Sequence, residues 1–409
     1  MVLPLLKVGP GLPVPFPASP GVRSSFPPLP FLLVITIHQT ATPGHLAMEL
    51  SPHHKFVNAL AFNAAGNKLA SASDDNTVRV WNVDDTLAQS GNGRTANAAR
   101  PNAQTELRCT SDALTVRWDP TNANVLVAAG SDRNLQIWDV RSRNSVHSVG
   151  TVTLPSKRNV NFAYHPRGHE IVVSSLEDTI SVVDLRAQKV LRSETMQYEV
   201  NELAFNEDGS ALFVASANGV DVMGKYPSLE RTFNLNIGKS YTLCASPDGK
   251  TVAASTYGST VSLFETEELG CRLTLMRYDQ YVKALSFSHD SRYLALFEFN
   301  GNAVEVTDAA TGACVNTVVT PYEKKIGAVA WSPVAHILAY SCVEHVFLNT
   351  SPFTPVVLPQ TTHVAAPPMF DGRGMPPPTM MPPMGSAVHM PGVMLPQQAA
   401  SRVAMPYRR

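Results

Sequence analysis

Short strand-like runs recur through the middle of the chain, each with apolar and polar residues in near alternation and each followed by a turn. Seven of these runs end at equivalent positions, which are residues 62, 118, 164, 205, 245, 287 and 331. Consecutive ends are 40 to 46 residues apart, except for the first two, which are 56 apart. A period of two with β-branched and aromatic residues predicts β-strands. The regular spacing therefore predicts a repeat protein built from strands.

Each repeat continues with a tight turn and two further strand-like segments. Turns that contain Asp-Gly, such as those at 208–209 and 248–249, supply residues that adopt a positive φ angle at low cost. Small apolar residues, for example at 68–72, predict a buried second strand. Alternating residues at 75–81 and 132–138 predict a third strand after a short acidic turn. One repeat is thus a group of neighbouring antiparallel strands.

The ends of the first and third strands carry the strongest markers of these repeats. They are Trp81, Trp118, Trp138, Asp139 and Trp331. A unit of about 40 to 45 residues that contains several strands and ends near Trp-Asp is the signature of a propeller blade. Seven units predict an all-β fold, a seven-bladed WD-repeat β-propeller over residues 46–350. The long first spacing is explained by an insertion at 90–104, which is rich in Gly, Asn and Ala.

The last repeat is one strand short. After residue 331 the sequence offers only 336–343 and 346–349 before Pro352. A spare strand-like segment, 46–50, precedes the first repeat. We therefore expect this N-terminal strand to complete blade seven and close the ring.

Both ends of the chain have a composition unlike that of the repeats. Residues 1–45 are rich in proline and contain no acidic residue, and residues 351–409 hold 13 of the 32 prolines and 8 of the 13 methionines. Proline disrupts helices and sheet ladders, so we predict disordered extensions at both ends. For the N-terminal segment, a targeting signal and a true start at Met48 remain alternatives.

Composition and charge exclude several classes of protein. The formal net charge of −1 provides no overall field to attract nucleic acid. Five cysteines are scattered without a C-x-x-C pair, which supports neither a disulfide framework nor a zinc site. The longest apolar run, 31–37, is far too short to span a bilayer. We expect no membrane association.

The chain also lacks the motifs of common enzyme active sites. There is no phosphate-binding glycine-rich loop in a strand-to-helix context, no G-x-S-x-G and no H-E-x-x-H. We therefore expect a protein that is not an enzyme, with no cofactor, catalytic residue, metal site or small-molecule substrate. His53-His54 is the one pair that suggests metal binding, but adjacent residues point to different sides, and a structural or solvent-exposed role is favoured. Carboxylates that recur at the turns, such as Asp75 and Asp132, are expected to bond neighbouring backbone N–H groups.

The remaining function is binding, and the loops that lead into the inner strands offer candidates for it. In propellers these leading loops share a face with the turns between the second and third strands. Their basic and aromatic residues form the candidate partner-binding face: Lys55, Arg158, Tyr198, Lys239, Arg277, Tyr278, Tyr281, Tyr322, Lys324 and Lys325. Acidic residues in the same loops and turns outnumber the basic ones, so we expect protein partners and only weak or indirect contact with RNA.

Beyond the fold, the chain resembles the WD-repeat subunits of the THO complex. The resemblance rests on segments that occur in the family's order over residues 50–350, namely 137–141, 198–202, 226–229, 267–271, 282–290 and 330–333. Most specific are Tyr-Pro-Ser-Leu at 226–229 and Leu-Ser-Phe-Ser-His-Asp at 285–290. Both ends depart from the family, and the pattern of blade four weakens after 218–219.

This resemblance implies a non-catalytic scaffold in the nucleus. Within the larger TREX assembly, THO proteins couple transcription to packaging and export of messenger RNA, and their propeller subunit docks on large helical scaffold subunits. The alternative is a WD-repeat scaffold of another nuclear assembly, either a histone-modifying complex or a ubiquitin-ligase adaptor.

Overall fold

The structure is a computed structural model that describes residues 47–50, 53–84, 105–141, 147–320, 325–350 and 352–353. These residues form 28 strands in seven antiparallel sheets of four strands each. Each sheet is one blade, so the predicted seven-bladed propeller is confirmed. The predicted extensions and the insertion at 90–104 lie outside the described residues, apart from 352–353. Within the described part of the chain, no helix has the length and apolar character needed to cross a membrane.

The blades follow one another along the chain. Blade one contains β2 (Val57–Phe62), β3 (Lys68–Ser73), β4 (Thr77–Asn82) and β5 (Thr105–Arg108). Blade two contains β6 (Ala113–Trp118), β7 (Val125–Gly130), β8 (Asn134–Asp139) and β9 (Gly150–Thr153). Blade three contains β10 (Asn159–Tyr164), β11 (Glu170–Ser175), β12 (Thr179–Asp184) and β13 (Lys189–Thr195). Blade four contains β14 (Val200–Phe205), β15 (Ala211–Ser216), β16 (Gly219–Gly224) and β17 (Glu230–Leu235).

The remaining blades have the same plan. Blade five contains β18 (Ser240–Ala245), β19 (Thr251–Thr256), β20 (Val261–Glu265) and β21 (Cys271–Leu275). Blade six contains β22 (Val282–Phe287), β23 (Tyr293–Glu298), β24 (Ala303–Asp308) and β25 (Cys314–Val319). Blade seven contains β26 (Ile326–Trp331), β27 (Leu338–Cys342), β28 (His345–Asn349) and β1 (Ala47–Leu50). Blade four therefore keeps all four strands, although its sequence pattern is weak.

The ring is closed by the N-terminal strand, as predicted. β1 pairs antiparallel with β28, with Met48 opposite Leu348 and Leu50 opposite Val346. The Leu50 side chain is fully buried between blades seven and one. Glu49 accepts a hydrogen bond of 2.7 Å from His345 Nδ1. The first strands of successive blades also contact one another around the whole ring, from β2 to β26 and back to β2.

Seven hydrophobic clusters hold the blades together, one in each gap between neighbouring blades. The marker tryptophans all lie in these clusters: Trp81 between blades seven and one, Trp118 and Trp138 between one and two, and Trp331 between six and seven. Asp139 differs, because it lies at the end of β8 and binds the Arg141 side chain and backbone N–H. The tryptophans are therefore packing residues rather than binding residues.

Blade one contains a continuous chain of buried hydrogen bonds. Trp81 Nε1 donates to Ser71 Oγ at 3.2 Å, and Ser71 Oγ lies 2.7 Å from His53 Nε2. His53 Nδ1 lies 2.8 Å from Asp75 Oδ2. A His53 tautomer with its proton on Nδ1 satisfies all three bonds. The structural role expected for His53 is thus confirmed, and Asp75 also accepts the predicted bond from the backbone N–H of Thr77.

Blade two has lost this chain of hydrogen bonds. Ala128 stands where Ser71 stands in blade one, since each is ten residues before the tryptophan of its third strand. Trp138 Nε1 is consequently buried with no hydrogen-bond partner among the described residues. An unsatisfied buried donor costs about 1–3 kcal/mol. Blade two is therefore less well stabilised than blade one at this position.

Ala128→Ser is expected to raise the free energy of unfolding by about 1 kcal/mol, because the new hydroxyl supplies an acceptor for Trp138 Nε1. Denaturant unfolding of the two proteins measures the difference. The control is the same substitution in a Trp138→Phe background, where no donor exists and the gain should vanish. An equal gain in both backgrounds would mean that the hydroxyl acts through some other contact.

Candidate binding face

The leading loops and the turns between second and third strands lie together on one face of the ring, here called the upper face. In six blades a backbone N–H just after the second strand donates to a carbonyl in the leading loop, at 2.8–3.3 Å. Examples are Tyr257 N to Lys239 O and Phe299 N to Tyr281 O. The shared face assumed from the sequence is therefore present. The opposite face, here called the lower face, carries the other turns.

Four aromatic residues on the upper face of blades five and six form a continuous group, here called the aromatic arc. They are Tyr241, Tyr257, Tyr281 and Phe299. Tyr281 is the centre, with ring centroids 4.8 Å from Tyr241, 5.1 Å from Tyr257 and 4.8 Å from a stacked Phe299. All four are partly exposed. Such packed rings lose little conformational entropy when a partner covers them.

A β-bulge near the upper end of the first strand of each blade determines which of its side chains reach the upper face. In all seven blades the pairing register between first and second strands shifts near the start of the first strand. Tyr241 and Lys283 lie within these shifts in blades five and six. β-bulges redirect side chains next to binding sites. The bulge thus explains why residues of inner strands take part in the upper face.

Lysines surround the aromatic arc. Lys239 Nζ lies 4.4 Å from the centre of the Tyr257 ring and 2.8 Å from Glu199 Oε2. At the other end, Lys325 Nζ lies 6.0 Å from the Phe299 ring centre. Lys283 Nζ lies 5.3 Å from the ring centre of Phe56.

The surroundings of Lys283 disfavour its charged form. Burial, and then the positive charge of Lys325, lower the pKa of the Lys283 amine to about 8, although Asp74 acts in the opposite direction. Neither Lys283 nor Lys325 forms a salt bridge with a described residue. These two lysines are close enough for their charges to interact, while burial, the neighbouring tyrosines and then Glu202 and Glu199 raise the pKa of Tyr241, so the charge beside the arc is mixed.

The predicted partner-binding residues do not all join this group. Lys239, Tyr281 and Lys325 border or form the aromatic arc. Lys55 and Arg158 are exposed on the upper face in the leading loops of blades one and three. Tyr322 and Lys324 lie outside the described residues.

Three other predicted residues bind within the propeller itself. Arg277 is held by Glu305 of β24 and by the carbonyl of Gly312, and Tyr278 Oη donates to Glu305 at 3.2 Å. Tyr198 is partly buried against the cluster between blades three and four. Burial, together with a hydrogen bond to Asp221, raises the pKa of the Tyr198 hydroxyl. These contacts hold each leading loop against the blade that it enters, and they reduce what the three side chains can offer to a partner.

Tyr241, Tyr257 and Phe299 belong to the site but were not among the predicted residues. Tyr257 and Phe299 occupy the same place in consecutive blades, directly after the second strand. That recurrence is visible in the sequence and could have identified them. Tyr241 could not have been found in this way, because its direction depends on the bulge in β18.

The hydrogen-bond chain of blade one has the order of a Ser-His-Asp triad but cannot act as one. Ser71, His53 and Asp75 would correspond to nucleophile, base and orienting carboxylate. Ser71, however, has 0% of its surface exposed, and its oxygen accepts the hydrogen bond from Trp81. No substrate carbonyl can reach it. The arrangement connects a leading loop to the blade core.

Comparison with known proteins agrees with this architecture. The family model WD40 (WD domain, G-beta repeat) matches residues 44–82 and 103–139. Each match contains the fourth, outer strand of one blade and the first three strands of the next blade. The crystal structure of the Myceliophteria thermophila Cps50 (Swd1) β-propeller domain superposes with a TM-score of 0.59 at 15% identity, covering 73% of this chain and 98% of that one. That likeness shows the fold.

Sequence relatives extend the comparison beyond the fold. WD repeat-containing protein AAC3 of Dictyostelium discoideum is 27% identical over 248 residues, which span 57% of this chain and 51% of that protein. THO complex subunit 3 of Arabidopsis thaliana is 28% identical over 296 residues, 72% of this chain and 88% of that protein. The chain is therefore a WD-repeat β-propeller protein whose sequence is similar to THO complex subunit 3 over most of that relative's length.

Proposed function

We propose that this protein is a non-catalytic interaction scaffold, a subunit of a THO/TREX-like complex that couples transcription to the packaging and nuclear export of messenger RNA. The similarity to THO complex subunit 3 supports this most, because it covers 88% of that relative. The upper face, with packed aromatic rings and mixed charge, suits protein partners. The partners are the large helical scaffold subunits of the complex, and contact with RNA is indirect or weak. The protein acts in the nucleus.

Affinity purification tests this function. The tagged protein is purified from nuclease-treated nuclear extract, and the proteins recovered with it are identified by mass spectrometry. Large helical THO-type subunits in near-equal amounts would support the proposal. Recovery of methyltransferase or ubiquitin-ligase components, without THO-type subunits, would contradict it and assign the propeller to another scaffold.

The docking surface that we propose for the helical subunit is the aromatic arc. The arc offers Tyr and Phe rings at short distance from one another, and such rings are the usual anchors of protein interfaces. Lys283 and Lys325 add positive charge, and neither forms a salt bridge with a described residue, although the charge of Asp74 favours the protonated form of Lys283. A helical segment with apolar residues and carboxylates would cover the rings and neutralise these two lysines. The partner segment is therefore amphipathic and acidic.

The double substitution Tyr281→Ala and Phe299→Ala is expected to weaken binding of the purified helical subunit by about 30-fold or more. The estimate corresponds to about 2 kcal/mol for losing two anchors that stack on each other. Isothermal titration calorimetry measures the affinity. Arg186→Ala, which alters an exposed side chain in a turn of the lower face, is the control and should bind like the unmodified protein. If the double variant binds with unchanged affinity while the unmodified protein still recovers helical subunits, the aromatic arc is not the docking surface. Membership of a THO-like complex would then still stand.

A further inference from the structure

We propose that His289, Asp290 and His336 form a Zn²⁺-binding site on the lower face, between blades six and seven. His289 and Asp290 lie in the turn between β22 and β23, and His336 lies in the equivalent turn between β26 and β27. One ligand atom from each residue lies within 4.8 Å of the other two. Two turns that are 46 residues apart in the chain are thus brought together by the packing of neighbouring blades.

The distances suit one small ion. Asp290 Oδ2 and His336 Nε2 are 3.1 Å apart. Two ligands of a tetrahedral Zn²⁺ are about 3.3 Å apart, since zinc–nitrogen and zinc–oxygen bonds are about 2.0–2.2 Å. The His289 and His336 ring centroids are 4.5 Å apart. The His289 ring would have to move towards the other two side chains for all three ligand atoms to reach the spacing of a tetrahedral ion.

His289 supplies a second, independent observation. Its Nδ1 atom is buried and has no hydrogen-bond partner among the described residues. Buried polar atoms without a partner are rare, and a bound ion is one explanation for them. A metal ion at the centre of the three side chains would give this nitrogen a partner.

The surroundings hold the other two ligands in position. Asp290 Oδ1 accepts hydrogen bonds from Ser288 Oγ at 2.6 Å and from the backbone N–H of Arg292 at 3.3 Å, which leaves Oδ2 directed at His336. The His336 ring is enclosed by the rings of Tyr293 and Phe353. Hydrogen bonds and packing of this kind fix ligand orientation in metal sites.

The ligand types select the metal. Two imidazoles and one carboxylate are ligands typical of Zn²⁺, whereas Ca²⁺ and Mg²⁺ prefer oxygen ligands alone. Asp290 is exposed, so the fourth position of the tetrahedron is open to water. The ion would connect the lower ends of blade six and of blade seven, which is the blade that β1 completes.

Metal titration of the full chain tests the site, with Co²⁺ as a spectroscopic probe and Zn²⁺ as competitor. We expect one Co²⁺ per chain to give the visible absorption of a tetrahedral complex, which Zn²⁺ abolishes. His289→Gln and Asp290→Asn should each weaken Co²⁺ binding by at least about tenfold. His147→Gln, a change at an exposed histidine, is the matched control and should bind like the unmodified protein.

Thermal unfolding shows whether a variant that binds less metal is still folded. Without metal, His289→Gln should melt at the temperature of the unmodified protein, and Zn²⁺ should raise the melting temperature of the unmodified protein only. Absence of a tetrahedral Co²⁺ spectrum would overturn the proposal. So would an unchanged spectrum in His289→Gln, because the ion would then be bound by other histidines, such as those at 38, 45, 363 and 389.

Discussion

A chain that begins at residue 51 is expected to unfold at a temperature about 10 °C or more below that of a chain that begins at residue 45. The shorter chain lacks β1, so β28 loses its ladder partner and the gap between blades seven and one loses the fully buried Leu50 side chain. Truncating a buried leucine alone costs about 2–5 kcal/mol. The exposed strand edge adds to this loss and favours association between chains. Calorimetry of the two proteins measures the effect.

A substitution that keeps β1 in place tests the contribution of its buried side chain without removing the strand. Leu50→Ala keeps the backbone pairing and should lower the free energy of unfolding by about 2–5 kcal/mol. Glu49→Gln changes the partly exposed contact with His345 and should lower the free energy of unfolding by less than about 1 kcal/mol. If the chain from residue 51 melted together with the chain from residue 45, closure by β1 would not be what stabilises blade seven.

His53→Ala is expected to lower the free energy of unfolding by about 3–5 kcal/mol. The substitution removes both bonds of the imidazole, so that Ser71 Oγ and Asp75 Oδ2 each lose a partner in a buried environment. Each such loss costs about 1–3 kcal/mol, and the removed ring adds a packing defect. Denaturant unfolding gives the value. His54→Ala is the control, because His54 is exposed and only its backbone N–H contacts Asp75.

The same variant is expected to change the pH dependence of stability. Burial alone would raise the pKa of Asp75, but hydrogen bonds from His53 and Thr77 outweigh it and hold that pKa well below its usual value. Ionised Asp75 therefore stabilises the fold above the unfolded-state pKa of about 3.9, and this contribution is lost as the pH falls. The unmodified protein should lose more stability between pH 5 and pH 3 than His53→Ala. Equal losses of stability in the two proteins would show that His53 does not lower the pKa of Asp75.

Much of the fold follows from the repeat pattern. The seven inner strands and the turns after them could be predicted, because they depend on local strand patterning. The role of residues 46–50 could be predicted because the sequence of blade seven is one strand short. Outer strands such as β13 and β17 carry no comparable signal, since most of their residues are exposed. Their position is determined by pairing with the third strand, which a single sequence does not display.

The binding face could be predicted only in part. The common location of leading loops follows from topology, so Lys239, Tyr281 and Lys325 could be placed on the upper face, beside or within the aromatic arc. Arg277 and Tyr278 have the same residue types in an equivalent loop, but Glu305 in the third strand of blade six, the blade that this loop enters, binds both. A contact between a leading loop and a strand 27 residues further on depends on three-dimensional packing. The sequence alone therefore could not distinguish loop residues that are free to face a partner from loop residues that bind their own blade.

Closure of the ring by β1 has a consequence for synthesis on the ribosome. β1 is the first of the described strands to be translated and its partner β28 is the last, and Glu49 and His345 are 296 positions apart in the chain. At about 5–20 residues per second, translation of this interval takes about 15–60 s. Throughout that time Leu50 can contact blade one but not blade seven, so nascent chains leave one side of an apolar strand exposed to chaperones. A polypeptide interrupted before residue 345 never acquires a partner for β1, and ring closure thus occurs only in chains that carry all seven blades.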